Sequence, residues 1–408
     1  MTAAQLRAAG ARVFFRYFFL ALLFLISAAE WITLWWLLWP RESTPLAVHA
    51  IALGAVYWFN RYLSRGTTRL TRRSPWRRLY EAFAFTSLFC SAFLLLTFLA
   101  RELTQLVVGT VLAAVQSGAS SVVATDVEGA FGWVRRVGFG LIVVALTYGY
   151  TVGQARLRVT RMRLPLRNFG RLPALRIAQI SDIHIGQNLT RQQLTKFVER
   201  VNETDADIIC ITGDIADNAR ADLAMFLPLL GRLHAKRAVV AILGNHDHYG
   251  GAARVEESLR RYTDFIVLRD AHVVLDIDGE PLHIIGLDDR GIDWARGVKE
   301  VPYLAETLTR LPPNEAVLVL CHRPDIFAQT SALGVGLTLS GHTHGGQVAL
   351  PLFFGKQLSP ARIVTRFDRG LFRKQGSFLY VNNGIGVTAQ RVRLCTPREI
   401  SVFEVEQT

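Results

Sequence analysis

The stretch from Phe14 to Trp39 constrains the fold most strongly, because it is apolar apart from Arg16, Glu30 and two hydroxyl side chains. An α-helix needs about 20 apolar residues to cross the hydrocarbon core of a bilayer, and this stretch is longer. A cleaved signal peptide is the alternative, but the continuation WITLWWLLW extends well beyond the apolar region of such a peptide. The stretch therefore predicts a transmembrane helix. Within it, Glu30 is either functional or close enough to the interface to reach water.

Three further apolar stretches predict spans at about Leu46–Leu63, Leu79–Ala100 and Val137–Gly153, while LTQLVVGTVLAAV could lie at the interface. The loop RYLSRGTTRLTRRSPWRR and the stretch 156–176 each carry seven arginines. Because arginines concentrate on the cytoplasmic side, about four spans with both chain ends inside satisfy this distribution. The pair Arg135 and Arg136, which would then lie outside, argues against it. The prediction is a multi-pass protein of the inner (plasma) membrane with a cytoplasmic C-terminal domain.

The positive charge of the chain is confined to its first part. From Met1 to Arg176 there are 21 Lys and Arg against 6 Asp and Glu, whereas from Ile177 onward there are 25 against 27. A uniformly basic chain would favour nucleic acid, but here the arginines flank apolar segments, as in cytoplasmic loops. We therefore expect a lipid bilayer as partner and no nucleic acid.

From Leu175 the sequence changes to short Ile- and Val-rich runs separated by polar turns that contain glycine, which is typical of strands. Between the first two strands, TRQQLTKFVERVNE has helical apolar spacing, and Thr190 with Gln193 predicts a capping box. This alternation predicts an α/β domain with buried strands between helical layers. The predicted organisation is a transmembrane helical domain over 1–155, a basic juxtamembrane linker over 156–174 and the α/β domain over 175–408.

Polar side chains follow five of the predicted strands where each strand ends. In open α/β sheets, ligand sites form at the carboxyl ends of the strands. Two carboxylates, one amide and four imidazoles gathered there are candidate metal ligands, while the histidine and the aspartate that follow the asparagine are left over. The set comprises Asp182 and His184, then Asp214, then Asn245 with His246 and Asp247, then His322, and finally His342 and His344.

Seven ligands are too many for one ion of ordinary coordination number and suit two ions. Mixed nitrogen and oxygen donors favour divalent Mn, Fe, Zn or similar metals over Mg or Ca, which prefer oxygen alone. Two such ions about 3.5–4 Å apart clamp the attacking and leaving oxygens in displacement at phosphorus. The reaction class indicated by these residues is therefore phosphoester hydrolysis.

The ordered set D-x-H, GD, GNHD, H and GHTH resembles the calcineurin-like metallophosphoesterases, and GHTHGGQ resembles the branch with membrane-associated bacterial phosphodiesterases. The resemblance covers roughly Leu175 to Val405. It implies a metallophosphoesterase-type β-sandwich flanked by helices, with a metal-bridging hydroxide that attacks phosphorus in line.

Carried over position by position, the resemblance implies two metal sites that share one carboxylate. It also implies that His246 is the active-site histidine near the leaving oxygen, with Asp182 or Asp247 available to orient it. It assigns His342 and His344 to different ions, and alternation along an extended strand would turn the intervening Thr343 away from both. The implied ligands are Asp182, His184, Asp214 and His344 for the first ion, and Asp214, Asn245, His322 and His342 for the second.

These residues together predict a membrane-anchored phosphohydrolase for a phosphodiester or pyrophosphate, with lipid-linked esters and nucleotides as candidate substrates. The alternative is a phosphoesterase domain that has become a ligand-binding or regulatory module of a membrane protein. The complete ligand set favours the enzyme. Around the site, Asp288 and Asp289 are candidates for support, and Arg323 is a candidate for holding an anion, although an ion-paired arginine is the commoner arrangement.

Overall fold

A computed structural model of the chain describes residues 3–38, 45–64, 74–114, 120–166, 169, 172–289, 300–313, 315–350, 352–353 and 356–406. The chain divides into two compact units, Met1–Thr147 and Tyr148–Thr408, which are described separately.

The first unit is helical. Its helices are α1 (Ala3–Leu38), α2 (Leu46–Ser64), α3 (Pro75–Ala114) and α4 (Ser120–Tyr150). At 1.5 Å per residue, the 40 residues of α3 extend about 60 Å. The stretch LTQLVVGTVLAAV, considered above as an interfacial segment, continues α3 through Ala114 instead of forming a separate element.

Within the described residues, three helices are long and apolar enough to cross a membrane: Tyr17–Leu38, Pro75–Ala113 and Asp126–Ala155. The predicted second span does form helix α2 but is not among them, because His49, Asn60 and Arg61 reduce the hydropathy of its 19 residues. The structure therefore supports a helical region with apolar, potentially spanning helices, but with three candidate spans where the sequence predicted about four.

The second unit contains two six-stranded sheets, which confirms the predicted α/β class. The first has the order β1-β14-β2-β3-β4-β5 and the second β12-β13-β9-β8-β7-β6. A short antiparallel hairpin joins β10 (Leu352–Phe353) and β11 (Lys356–Gln357). In sheet order the other strands are Leu157–Pro165, Arg398–Glu406, Leu175–Ile180, Ile208–Thr212, Ala238–Ile242 and Ile266–Leu268, then Gly370–Lys374, Ser377–Val381, Leu337–Ser340, Ala316–Cys321, Glu280–Leu287 and Ala271–Ile277.

The two sheets share one apolar core, as in a β-sandwich. Ile177 and Val240 of the first sheet belong to the same buried cluster as Ile284 and Leu318 of the second. Helices cover the outer faces, with a separate apolar cluster under each helical layer. These helices are α5 (Arg191–Asn202), α6 (Leu223–Leu230), α7 (Asn245–Tyr249), α8 (Ala252–Tyr262), α9 (Pro302–Arg310) and α10 (Phe327–Ala332).

Helix α5 forms where the apolar spacing and the capping box in the sequence predicted a helix. Its residues Leu194, Phe197 and Val201 are buried against the first sheet, and the predicted capping box between Thr190 and Gln193 is present. The helix begins where its first free N–H groups find a side-chain acceptor.

Strand β1 lies inside the segment that the sequence analysis assigned to a juxtamembrane linker. It pairs in parallel with β14, from Leu157 opposite Arg398 to Pro165 opposite Glu406. Its apolar Leu164 is buried, while the neighbouring Arg163 is exposed. Alternating apolar and basic residues form an edge strand here, and charged side chains on an edge discourage pairing with another chain.

Candidate metal centre

All five predicted ligand segments leave strands at one end of the sandwich. Strands β2, β3 and β4 run parallel in the first sheet, as do β7, β8 and β9 in the second. Parallel strands place their carboxyl ends at the same sheet edge, so the residues that follow them meet. Two three-residue clusters result, each with its potential ligand atoms within 4.8 Å of one another.

The first cluster comprises Asp182, His184 and His344. His184 Nε2 lies 3.0 Å from His344 Nε2, and His344 Nε2 lies 3.3 Å from Asp182 Oδ1. All three side chains are almost completely buried. Two ring nitrogens that face each other at this distance need a shared proton or a cation, because two lone pairs repel.

The second cluster comprises Asp214, His322 and His342. Asp214 Oδ2 lies 3.2 Å from His322 Nε2 and 3.6 Å from His184 Nε2 of the first cluster. The Nδ1 atom of His322 lies 2.8 Å from the carbonyl oxygen of Thr212, so Nδ1–H donates there and Nε2 is directed at the site. One carboxylate oxygen thus lies between the two clusters.

Asn245 belongs to the same site. It lies between Gly244 and His246, and the backbone N–H of His246 donates to Asp214 Oδ1 at 2.9 Å. Among the described residues, its buried Oδ1 atom has no hydrogen-bond partner. Leaving a buried acceptor unsatisfied costs about 1–3 kcal/mol. An amide oxygen beside imidazoles and carboxylates fits a divalent cation of the Mn, Fe or Zn type.

Five predicted ligands occupy left-handed backbone conformations. Such conformations are uncommon for residues with a side chain, are best tolerated by Asn, Asp and His, and concentrate at functional sites. Backbone hydrogen bonds hold them, such as Asp182 N to Gly213 O and His184 N to Asp214 O, both at 3.0 Å. The φ values are 53° for Asp182, 50° for His184, 53° for Asp214, 70° for His342 and 51° for His344.

The histidine pair corrects one expectation. Strand β9 ends at Ser340, and His342 and His344 lie in a turn where Thr343 adopts a right-handed helical conformation. Alternation along an extended strand is therefore the wrong reason for Thr343 to face away, although it does so. The turn itself assigns His342 to the second cluster and His344 to the first, while Thr343 Oγ1 turns away and donates to Asp368 O at 2.6 Å.

Asp247 does not orient His246, as the sequence analysis had allowed. Its carboxylate accepts hydrogen bonds from the N–H groups of Ile215, Ala216 and Gly244 at 3.1, 2.7 and 2.9 Å. It therefore ties the loop after β3 to the start of α7. Burial and the neighbouring Asp214 charge raise the pKa of Asp247 to about 6.

Asp217 was missed by the sequence analysis and lies beside two site histidines. Its Oδ1 atom is 3.4 Å from His184 Nδ1 and 3.7 Å from His246 Nδ1, and its carbonyl oxygen is 2.8 Å from His246 Nδ1. The available signal was the spacing in GDIAD, which puts a second aspartate three residues after Asp214 in the same turn. His184, Asp217 and His246 form a third potential ligand cluster.

Electrostatics prepare the histidines for different protonation states. Burial and nearby positive groups lower the pKa values of His342 and His344 well below the ordinary value, so both are neutral and available as ligands. Burial lowers the pKa of His322, but the Asp214 carboxylate raises it by more, to about 10.

Two glycines make room for the carboxylates. A Cβ atom on Gly244 would overlap Asp214 Oδ1, and one on Gly341 would overlap Asp182 Oδ2. A residue without Cβ is therefore required where the backbone approaches the site most closely.

The surrounding charged residues form ion pairs. Arg323, next to His322, contacts Asp289 through Nε at 2.8 Å, and both are buried. Asp288 accepts from His248 at 2.8 Å and from Arg269 at 3.0 Å. His248 therefore has an acidic partner.

Comparison with known proteins agrees with the geometry. The family model described as Calcineurin-like phosphoesterase matches residues 175–346. The metallophosphoesterase YkuE of Bacillus subtilis is 34% identical over 238 residues, which cover 57% of this chain and 79% of that protein. Cj0846 of Campylobacter jejuni, also named a metallophosphoesterase, is 31% identical over 57% of this chain and 59% of its own length. A Danio rerio protein named "Transmembrane protein with metallophosphoesterase domain" is 25% identical over 68% of this chain and 64% of its own length. The chain belongs to the calcineurin-like metallophosphoesterase family.

Proposed function

We propose that this protein is a membrane-anchored phosphohydrolase with two divalent metal ions, acting on phosphodiesters or pyrophosphates. The observation that carries the proposal is the position of Asp214 Oδ2, 3.2 Å from His322 Nε2 and 3.6 Å from His184 Nε2. One carboxylate oxygen between two imidazole-containing clusters is suited to bridging two ions.

The residues that would hold the ions follow from the clusters. Asp182, His184 and His344 would bind the first ion, Asn245, His322 and His342 the second, and Asp214 both. When bound, the ions supply Lewis acidity and an activated water. The chain's own contribution is a rigid set of donors, because strand ends and backbone hydrogen bonds hold the ligands before any ion binds.

His246 would handle the proton of the leaving group. Its Nδ1 atom lies 2.8 Å from the carbonyl oxygen of Asp217, so Nδ1–H donates there and Nε2 is free to face a substrate. Its ring meets the His184 ring edge-on at a centroid distance of 4.7 Å, so it borders the first cluster. The side chain is 26% exposed, whereas that of His184 is 1% exposed, which suits a group that transfers a proton to a departing oxygen.

For substrate and location, the proposal combines the α/β unit with the candidate spans. A catalytic unit on a chain with three potentially spanning helices is well placed for a lipid-linked phosphate ester, and nucleotides remain the soluble candidates. The arginine-rich segments support a cytoplasmic location at the inner membrane. With three spans the chain termini lie on opposite sides of the bilayer, whereas with α2 as a fourth they lie on the same side. Reporter fusions at the N-terminus and after Thr408 distinguish these arrangements.

The function is tested with the full chain, stripped of metal by chelation and then reloaded with Mn²⁺, Fe²⁺ or Zn²⁺ separately. We expect hydrolysis of bis-p-nitrophenyl phosphate only after reloading, and faster than hydrolysis of p-nitrophenyl phosphate. A panel of nucleotide pyrophosphates and membrane-lipid extracts then identifies the substrate class. A chain that binds metal yet hydrolyses none of these esters would contradict the enzymatic proposal and favour a ligand-binding module.

A further inference from the structure

An apolar and basic surface lies on Leu350 and residues 357–374 of the α/β unit, here called the 350–374 surface. Its side chains Leu350, Leu358, Ile363 and Val364 are 54%, 55%, 89% and 49% exposed. The backbone N–H of Leu350 donates to the carbonyl oxygen of Leu358 at 2.9 Å, so the two leucines occupy paired backbone segments. Exposed aliphatic side chains gathered in one surface mark a binding site for a protein or a membrane.

The charge of this surface indicates the kind of partner that it binds. Residues 357–374 contain five Lys and Arg against one Asp, while the rest of the chain from Ile177 onward contains 20 against 26. The single acid, Asp368, is buried and lies 3.2 Å from Arg362 Nε. Arg366 is exposed and lies over the Phe367 ring at 4.9 Å. A positive surface on an otherwise acidic domain complements an anionic partner.

The 350–374 surface is tied directly to the metal centre. Residues 341–347 form the histidine turn, which carries two of the predicted ligands. Ser359 Oγ donates to the carbonyl oxygen of Gly345 in this turn at 2.9 Å. In the other direction, Thr343 Oγ1 donates to the carbonyl oxygen of Asp368 at 2.6 Å. Hydrogen bonds therefore connect the turn to both the first and the second half of the surface.

We propose that the 350–374 surface binds an anionic lipid bilayer, with Ile363 and Val364 at the headgroup boundary and Arg362 and Arg366 on lipid phosphates. Aliphatic side chains interleaved with arginines match that boundary, where apolar groups leave water while the long cationic side chains stay among the headgroups. A second copy of the chain fits less well, because two surfaces of the same charge repel. The consequence for catalysis rests on the proposed function: lipid phosphate esters would be presented beside the histidine turn.

The test measures the depth of a fluorescent label on the full chain in nanodiscs. In a Cys395→Ser background, which removes the exposed cysteine, Val364→Cys is labelled with bimane, and Val274→Cys serves as the matched control. The two valines are equally accessible, 49% and 48% exposed, but Val274 lies on β6, outside the surface. The quencher is a lipid with a nitroxide on its acyl chain.

In discs of phosphatidylcholine with phosphatidylglycerol, we expect the label at position 364 to be quenched about threefold more than the control. The difference should shrink at high salt and in phosphatidylcholine alone, because screening and loss of anionic lipid both remove the electrostatic attraction. The double variant Arg362→Glu and Arg366→Glu should also lose the difference in quenching between the two labels.

Equal quenching at both positions overturns the proposal. Protection of the label in lipid-free detergent that grows with protein concentration would assign the surface to a second copy instead. Quenching requires no turnover, so it can succeed where the hydrolysis assay fails, and hydrolysis of the soluble diester can succeed where quenching fails. The two proposals are thus tested separately.

Discussion

In the helical unit, buried polar side chains lie on regular helices and bond to one another, whereas in the α/β unit they lie on left-handed turns around a common space. Asn60 Nδ2 donates to Ser27 Oγ at 3.0 Å and to Glu30 Oε2 at 2.6 Å, and Tyr80 OH donates to Asn60 Oδ1 at 3.0 Å. These contacts join three helices. Polar contacts between helices of this kind stabilise packing, and each is worth little.

The α/β unit places several acceptors in one small volume. Unsatisfied acceptors by themselves do not distinguish the units, because among the described residues both Asn245 Oδ1 here and Glu30 Oε1 in the helical unit lack a hydrogen-bond partner. The α/β unit also places Asp182 and Asp214 in left-handed conformations, which cost free energy and persist only where the surrounding structure holds them. Burial of polar groups alone therefore does not mark a functional site. Such a site is marked instead by several lone pairs that converge on one space from residues in strained backbone conformations.

The largest expected effect is that of Asp214→Asn, because it weakens both metal sites at once. Hydrolysis should fall about 10⁴-fold or more, with loss of bound metal. Turnover of the diester and elemental analysis of the purified chain measure the two effects. Asp222→Asn is the matched control, since Asp222 caps α6 away from the site and asparagine caps equally well. Full activity with two metals in Asp214→Asn would exclude the bridging role.

His246→Ala should separate catalysis from metal binding. We expect hydrolysis to fall about 10²- to 10³-fold with metal content unchanged, because a general acid contributes in this range. His234→Ala, on the exposed surface, should retain wild-type turnover. Loss of metal in His246→Ala would instead move this histidine into the ligand set, together with Asp217 and His184 of the third cluster.

Asp217→Asn should have a smaller effect, because Asp217 acts through His184 and His246 as a positioning residue. We expect kcat to fall about 10-fold with KM unchanged, the range found for residues that orient metal ligands. Asp217→Glu should restore part of kcat, since it keeps the carboxylate. An equal change in KM, or no rescue by glutamate, would argue for a general effect on folding.

The smallest effect on hydrolysis is expected in the helical unit. Asn60→Leu removes three polar contacts and should lower the stability of this unit by about 2 kcal/mol, because one polar contact between membrane helices is worth about 0.6 kcal/mol. Unfolding in mixed micelles measures this change, with Thr110→Val on the exposed face of α3 as control. Diester hydrolysis should not change. A large loss of hydrolysis would show that the two units cooperate and would remove the contrast between them.

The sequence alone determined the types of the candidate ligands and their order along the chain. Asp182, Asp214, Asn245 and His322 each follow an apolar run, and the carboxyl ends of parallel strands converge, so local pattern and a general rule of sheets sufficed. The capping box at Thr190 was equally local. The helical character of the first unit followed from length and hydropathy.

The tertiary structure decided what depends on contacts between distant segments. Only the packing of the turn after β3 against α7 brings Asp217 to His246 and assigns Asp247 to backbone N–H groups. Strand β1 could be recognised only from its pairing with β14, some 240 positions later, because an edge strand gains its hydrogen bonds from its partner. The separation of His342 from His344 depends on left-handed φ angles, which no side-chain periodicity encodes. Local motifs can be read from the order of residues. A carboxylate between two clusters, a paired edge strand and a surface next to the site depend on contacts between distant segments, which form only when the chain folds.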